Sequence, residues 1–163
     1  VDNFYEQLAG TYKTRMYTLL NICVYIFGVI AAISMVTIPI FVLSLLIALA
    51  CYFGKKKLYV EYEYTFTNGE IDIDKIVEKK KRKRVINFQI KEVELLAPED
   101  SNYVRDFSNK PVEIVNYFPI TTDGKIYAAM LTSGNKRVMI RFLPDDEFLK
   151  LCFKYNPKAV KKN

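Results

Sequence analysis

Apolar positions follow three different rhythms along the chain. From Met16 to Phe53 they are nearly continuous, and no charged side chain interrupts them. A run beyond about 18 residues predicts membrane-spanning helix, and one straight helix over all of it would reach nearly twice a hydrocarbon core of about 30 Å. The run must therefore fold back. Ser34, Thr37 and Pro39 mark the place, since proline disfavours helix at the residue before it. Two spans are predicted, Met16–Met35 and Ile38–Phe53, joined by a tight turn. The second is short for a bilayer, which local thinning or snorkelling lysines would accommodate. What remains of the chain is too small to wrap this run as a soluble core.

Ahead of it, Phe4, Leu8 and Tyr12 recur at every fourth position. That spacing predicts either a short interfacial helix, capped by Asp2 or Asn3 with Glu6 in its first turn, or a poorly ordered tail.

Beyond Lys57 the rhythm changes to period 2. Val60, Tyr62, Tyr64 and Phe66 alternate with Glu61, Glu63, Thr65 and Thr67, the pattern of a half-buried antiparallel strand. Asn68-Gly69 follows, a strong signal for a type I′ hairpin turn, and Ile71 and Ile73 alternate on the return. Phe88, Ile90, Val93 and Leu95 predict a further strand over 85–96, whose change of phase after Ile90 requires a bulge or short turn. Residues 97–111 read as loop, rich in Pro, Ser and Asn, with Tyr103 and Phe107 either tucked onto the sheet or offered as a surface. Strands are predicted over 112–118, 126–131 and 136–142, with Ser133-Gly134-Asn135 turning between the last two. Pro144 at the first helical position and Asp145, Asp146 and Glu147 behind it open a helix. Its buried side is Phe148, Leu149, Leu151, Cys152 and Tyr155, and Asn156-Pro157 ends it.

The cations give this plan a direction. Lys13 and Arg15 precede the apolar run, Lys55, Lys56 and Lys57 follow it, and the turn carries no charge, so both ends are placed on the cytoplasmic side. Lys79, Lys80, Lys81, Arg82, Lys83 and Arg84 then form an unbroken basic stretch. One strand leaving Lys57 and a second returning bring this stretch back beside Lys55–Lys57. The two clusters together are candidate contacts for anionic lipid headgroups or for a protein partner. The same stretch also reads as a solvated connection. Nucleic acid is disfavoured, because no recognition motif accompanies the charge.

Other chemistry is narrowed by what the residues cannot build. The chain has net charge +6, no histidine and three cysteines. Cys23, Cys51 and Cys152 are too scattered for a disulfide framework or a metal set. No nucleophile elbow or phosphate-binding loop is present, so no catalytic residue, metal or cofactor is assigned. Lys13 and Arg15 before an apolar run resemble a signal peptide, but the run greatly exceeds the usual about 7–15 residues. Ala48-Leu49-Ala50-Cys51 fits a lipoprotein cleavage site poorly. Within the spans, Asn21, Gly28 and Ser44 are candidates for helix packing, with Ser44 or a return-helix backbone group as partner for the Asn21 amide. No ionisable side chain lies within them, which favours an anchor over a transporter.

The expected organisation is a juxtamembrane segment 1–15, a transmembrane helical hairpin 16–53, a β domain 58–157 and a basic tail 158–163. The fold class is an α+β membrane protein, its domain a small antiparallel barrel or sandwich ended by one helix. Strands ended by a helix in this order are those of a pleckstrin-homology-like domain. The segments EYEYTFTNGEIDIDKI and FLPDDEFLKLC resemble an uncharacterised family of small bacterial membrane proteins, similar to the YcxB-like proteins that join a two-helix anchor to such a domain. The resemblance implies architecture and location and supplies no catalytic residues. The expected function is a membrane-anchored, non-enzymatic interaction module facing the cytoplasm; the alternative is a subunit of a membrane complex assembled through the hairpin.

Overall fold

The computed structural model describes residues 3–108 and 110–161, and the side chain of Ser133 is not described. Asp2 as a cap, Asn109 in the loop, and Lys162 and Asn163 of the basic tail lie outside the described residues. Two long helices sit at the polar end of a β-sandwich made of two four-stranded sheets. The barrel expectation is corrected: the sheets do not close on one another by a continuous ladder.

α1 spans Arg15–Ile33 and α2 spans Ile38–Leu58. Thr14 caps α1 by accepting a hydrogen bond from Tyr17 N. Pro39 lies in the first turn of α2, where its missing N–H costs nothing. The turn therefore falls where the sequence places it. α2, however, does not stop at Phe53. It continues through Lys55–Lys57, whose charge favours a helix C-terminus, so at 21 residues it has the length to cross a bilayer without thinning. Both helices are long and apolar enough to span a membrane, and most of their side chains are exposed.

The N-terminal segment is neither helix nor tail. Phe4–Ala9 forms strand β1, antiparallel to β2 (Val60–Thr67). A spacing of four residues is also a multiple of two, so Phe4 and Leu8 share the exposed face of a strand as readily as one side of a helix. The pairing decides the matter, because β2 offers a full edge of backbone donors and acceptors.

β2 turns into β3 (Glu70–Val77) through Asn68 and Gly69, with φ of 52° and 99°. A Cβ at Gly69 would also lie 2.9 Å from Tyr155. β4 (Lys81–Gln89) completes the first sheet in the order β1-β2-β3-β4. A short 3-10 turn at Ile90–Glu92 produces the anticipated phase change and leads into β5 (Val93–Pro98). The next loop contains a four-residue helix, α3 (Asn102–Arg105), and Phe107 tucks against Leu95, Ala97 and Met130 while Tyr103 stays exposed. The second sheet runs β5-β7-β8-β6, with β6 Glu113–Tyr117, β7 Tyr127–Ser133 and β8 Lys136–Phe142. β6 pairs with β8 in parallel, which departs from the all-antiparallel expectation.

α4 (Asp146–Tyr155) plugs the sandwich. Its cap is Asp145, whose carboxylate accepts from Phe148 N at 2.8 Å, so Pro144 stands just outside the helix and not at its first position. Phe148 is fully buried among Tyr64, Phe66 and Phe142, with edge-to-face ring centroids 5.9–6.2 Å away. Beyond Asn156 the chain is ordered as far as it is described. Ala159 and Val160 are buried, Leu96 N donates to Ala159 O, and Lys161 N donates to Leu96 O. The tail thus lies along the β5 edge.

Candidate functional site

The hairpin joining β3 to β4 brings charge to the base of the helices. Glu78 and Lys79 have φ of 51° and 56°, the left-handed region that non-glycine residues seldom adopt. Contacts hold them there. Glu78 N donates to Tyr59 O at 3.0 Å, and its carboxylate accepts from Tyr17 Oη at 3.3 Å and lies 3.9 Å from Lys55 Nζ. The turn is thereby clamped to both helices.

This clamp forms one wall of a cleft of about 560 Å³, lined by Lys13, Lys55, Lys79 and Lys80 and by Tyr17, Tyr25, Tyr52 and Tyr59, with Asn21 and Glu78. The cations come from the segment before α1, the end of α2 and the β3–β4 turn. Two have structural partners. Lys55 donates to Asn21 Oδ1 at 2.8 Å, and Lys79 lies 3.6 Å from the buried carboxylate of Glu61. Among the described residues Lys13 and Lys80 pair with no carboxylate, while Lys13 stands 5.8 Å from the centre of the Tyr17 ring. Glu78 and Glu61 offset two of the four ammonium groups, which leaves the cleft cationic, with aromatic walls. Such a site suits an anion that carries both charge and apolar surface.

The basic stretch is divided by this geometry. Lys79 and Lys80 reach the helices as expected, but Lys81–Arg84 belong to β4 and climb away from them. A bulge at the Ile73/Asp74 register shift reverses the alternation of β4. Arg82 and Arg84 consequently share the outer face of the sheet, where Arg82 pairs with Glu63, with Asp74 at 2.7 Å and with Glu6 at 3.8 Å. Arg84 meets Asp72 at 3.0 Å and Asp74 at 3.4 Å. Lys56 stacks on Tyr52, 3.8 Å from the ring centre, and Lys57 is exposed outside the cleft. The single footprint expected of residues 55–57 and 79–84 is therefore corrected to Lys55, Lys79 and Lys80 joined by Lys13.

The helix-packing candidates also separate. Asn21 finds Lys55, not Ser44. Ser44 bonds back to Ile40 O and Phe41 O within α2 and is buried, together with Ala48 and Ala31, where the helices touch. Gly28 is exposed, and a Cβ there would meet nothing within 4 Å. Gly54 is the glycine at the contact, where an added Cβ would lie 3.5 Å from Leu20.

Sequence reasoning overlooked Lys13 and Glu78 as site residues. The sequence pattern enlists Lys13 only for topology and gives Glu78 no role; an acid immediately before a basic stretch is the available signal for a clamped turn. Among the described residues no cluster of His, Cys, Asp or Glu has the makings of a metal site. Cys152 is buried beneath α4, and burial pushes its thiol up to about 12, which leaves it protonated and a poor nucleophile.

Two sheets plugged by a C-terminal helix have the arrangement of a PH-like domain, here carrying two long apolar helices. The chain belongs to the bacterial PH-like domain family DUF6106, a family of unknown function, whose model matches residues 1–162. Comparisons with curated proteins and with solved structures gave no match. PH-like domains are generally non-catalytic and serve as interaction modules.

Proposed function

We propose that this chain is a membrane-anchored, non-enzymatic interaction module that holds its PH-like domain against the inner leaflet and takes the phosphate of an anionic lipid headgroup in the lysine–tyrosine cleft. The observation that carries this reading is the clamped β3–β4 turn, which sets Lys79 and Lys80 beside Lys13 and Lys55 at the polar end of two apolar helices. With the helices spanning the bilayer and both of their charged ends cytoplasmic, that level is the headgroup layer. A cation near an anionic leaflet contributes about 1 kcal/mol, and salt weakens the effect. Tyrosine rings favour the same depth.

The test uses the full chain in nanodiscs of pure phosphatidylcholine and of phosphatidylcholine mixed with phosphatidylglycerol. Amide exchange at Glu78–Lys80 is expected to slow in the anionic discs, and Lys13→Gln with Lys80→Gln is expected to remove the difference. Equal exchange in both lipids for the parent chain rejects the headgroup site. The alternative role, assembly into a membrane complex through the hairpin, is favoured by one observation: Gly28 leaves an open notch on the outer surface of α1.

A further inference from the structure

The sandwich has four edge strands, β1, β4, β5 and β6, and two of them are tied to other parts of the chain. β1 is fastened to the β8–α4 junction: Gln7 Nε2 donates to Leu143 O at 2.8 Å, Asp145 N donates to Gln7 Oε1 at 2.9 Å, and Tyr5 Oη donates to Asp145 at 2.7 Å. β5 is covered by residues 159–161. The remaining edges, β4 and β6, belong to opposite sheets and border one groove of about 590 Å³. Among the described residues neither carries a further strand.

Tyr62, Lys75, Lys83, Val85, Ile114 and Tyr117 give this groove its character, with Arg84 and Asn116 at its margin. No carboxylate lines it; the nearest on β6, Glu113, is exposed at the start of the strand. Lys75 and Lys83 are directly opposite in the β3–β4 register, and neither pairs with an acid. Lysines on an edge strand commonly guard it against accidental pairing. That explanation fits Lys83 but not Lys75, which is half-buried on an interior strand. The bulge that turns Arg82 and Arg84 outward is what leaves Lys83 beside it on the inner side.

We infer that the groove between β4 and β6 is a docking site for an extended, acidic segment of a partner protein, laid as an added strand along β4. The edge offers backbone pairing, and an acid set opposite Lys83 on the groove face has Lys75 behind it in the same cross-strand row. Ile114, Val85 and Tyr117 line the same groove and meet the aliphatic stems of the acids, while the positions between the acids face the other side of the sheet. This site is separate from the cleft at the helices and shares no residue with it.

The experiment places the full chain in phosphatidylcholine nanodiscs, without anionic lipid, and adds an acetylated peptide of alternating Glu and Val. Amide exchange at Lys81–Val85 is expected to slow with this peptide and not with its Lys-Val counterpart. Reversing Lys75→Glu and Lys83→Glu is expected to weaken the acidic peptide about tenfold or more and to admit the basic one. Lys75→Gln with Lys83→Gln gives an intermediate loss, and slow exchange at Ile71 and Ile73 reports that either variant remains folded. Three results overturn the inference: no protection of β4, protection unaffected by charge reversal, or peptide-independent protection that grows with protein concentration. The last would mean that a second copy occupies the edge.

Discussion

Arg82 and Lys80 are two residues apart, yet the fold uses them in opposite ways. Arg82 lies on the outer face of the first sheet, enclosed by Glu63, Asp74 and Glu6 from three neighbouring strands. Lys80 stands in the turn beside the helices and neutralises no carboxylate among the described residues. Glu63 and Asp74 are nearly buried, and the arginine serves both; Asp74 also has Arg84 at 3.4 Å, whereas Glu63 meets no other cation among the described residues. The lysine's charge is available to something else. Composition alone makes the basic stretch a single feature, whereas the bulge and the strand boundary at Lys81 make it two. A variant that changed all six cations would consequently confuse folding with binding.

The largest effect expected is on the arginine side. Arg82→Gln should lower stability by about 2 kcal/mol, the cost of stranding the buried Glu63 carboxylate being moderated because the guanidinium is half exposed and Asp74 keeps Arg84. Thermal unfolding of the full chain in detergent measures it. A variant as stable as the parent would show that the outer face is as dispensable as the cleft, and the contrast would collapse.

Alkaline pH limits the range over which that contrast can be read. The buried Cys152 thiol is raised from its ordinary 9.0 to about 12, and burial raises Tyr64 above its ordinary 10.0. In both cases the unfolded chain ionises first, so the stability contribution is complete below about pH 9 and drains away as pH rises towards the folded values. The expected slope from Cys152 alone is about 1.4 kcal/mol per pH unit above about 9. Cys152→Ala should be less stable at neutral pH through the cavity it leaves, but its decline should begin nearer 10, where Tyr64 takes over. Denaturant titrations across this range distinguish the two onsets. Coinciding curves would mean that the thiol is not held protonated by burial.

Much of this molecule is legible along the chain, and the parts that are not have particular causes. The apolar run, Pro39 and Asn68-Gly69 act locally, so the helices and the first hairpin can be read directly. β1 could not be, because a period of four serves helix and strand alike and only the β2 edge chooses. The buried tail at Ala159 and Val160 likewise depends on a partner in β5 about sixty residues earlier. The candidate cleft was half visible. Lys55 and the start of the basic stretch converge by strand length alone, but Lys13 and Glu78 enter through tertiary contacts that no spacing announces. The division of Arg82 from Lys83 rests on one inserted residue, the hardest kind of feature to anticipate from alternation.

The smallest effect sharpens the comparison most. Lys13→Gln with Lys80→Gln removes two charges that have no carboxylate partner, so stability should move by no more than about 0.5 kcal/mol, the usual range for surface changes. The same pair of substitutions should abolish the dependence of turn exchange on anionic lipid. Arg82→Gln, in folded protein well below its melting temperature, should leave that dependence in place. A pair of variants that separate stability from lipid response in this crossed manner requires two distinct populations of cations. If instead the lysine pair destabilises the chain as much as Arg82→Gln does, the cleft is a structural clamp around Glu78 and its cations are already spent.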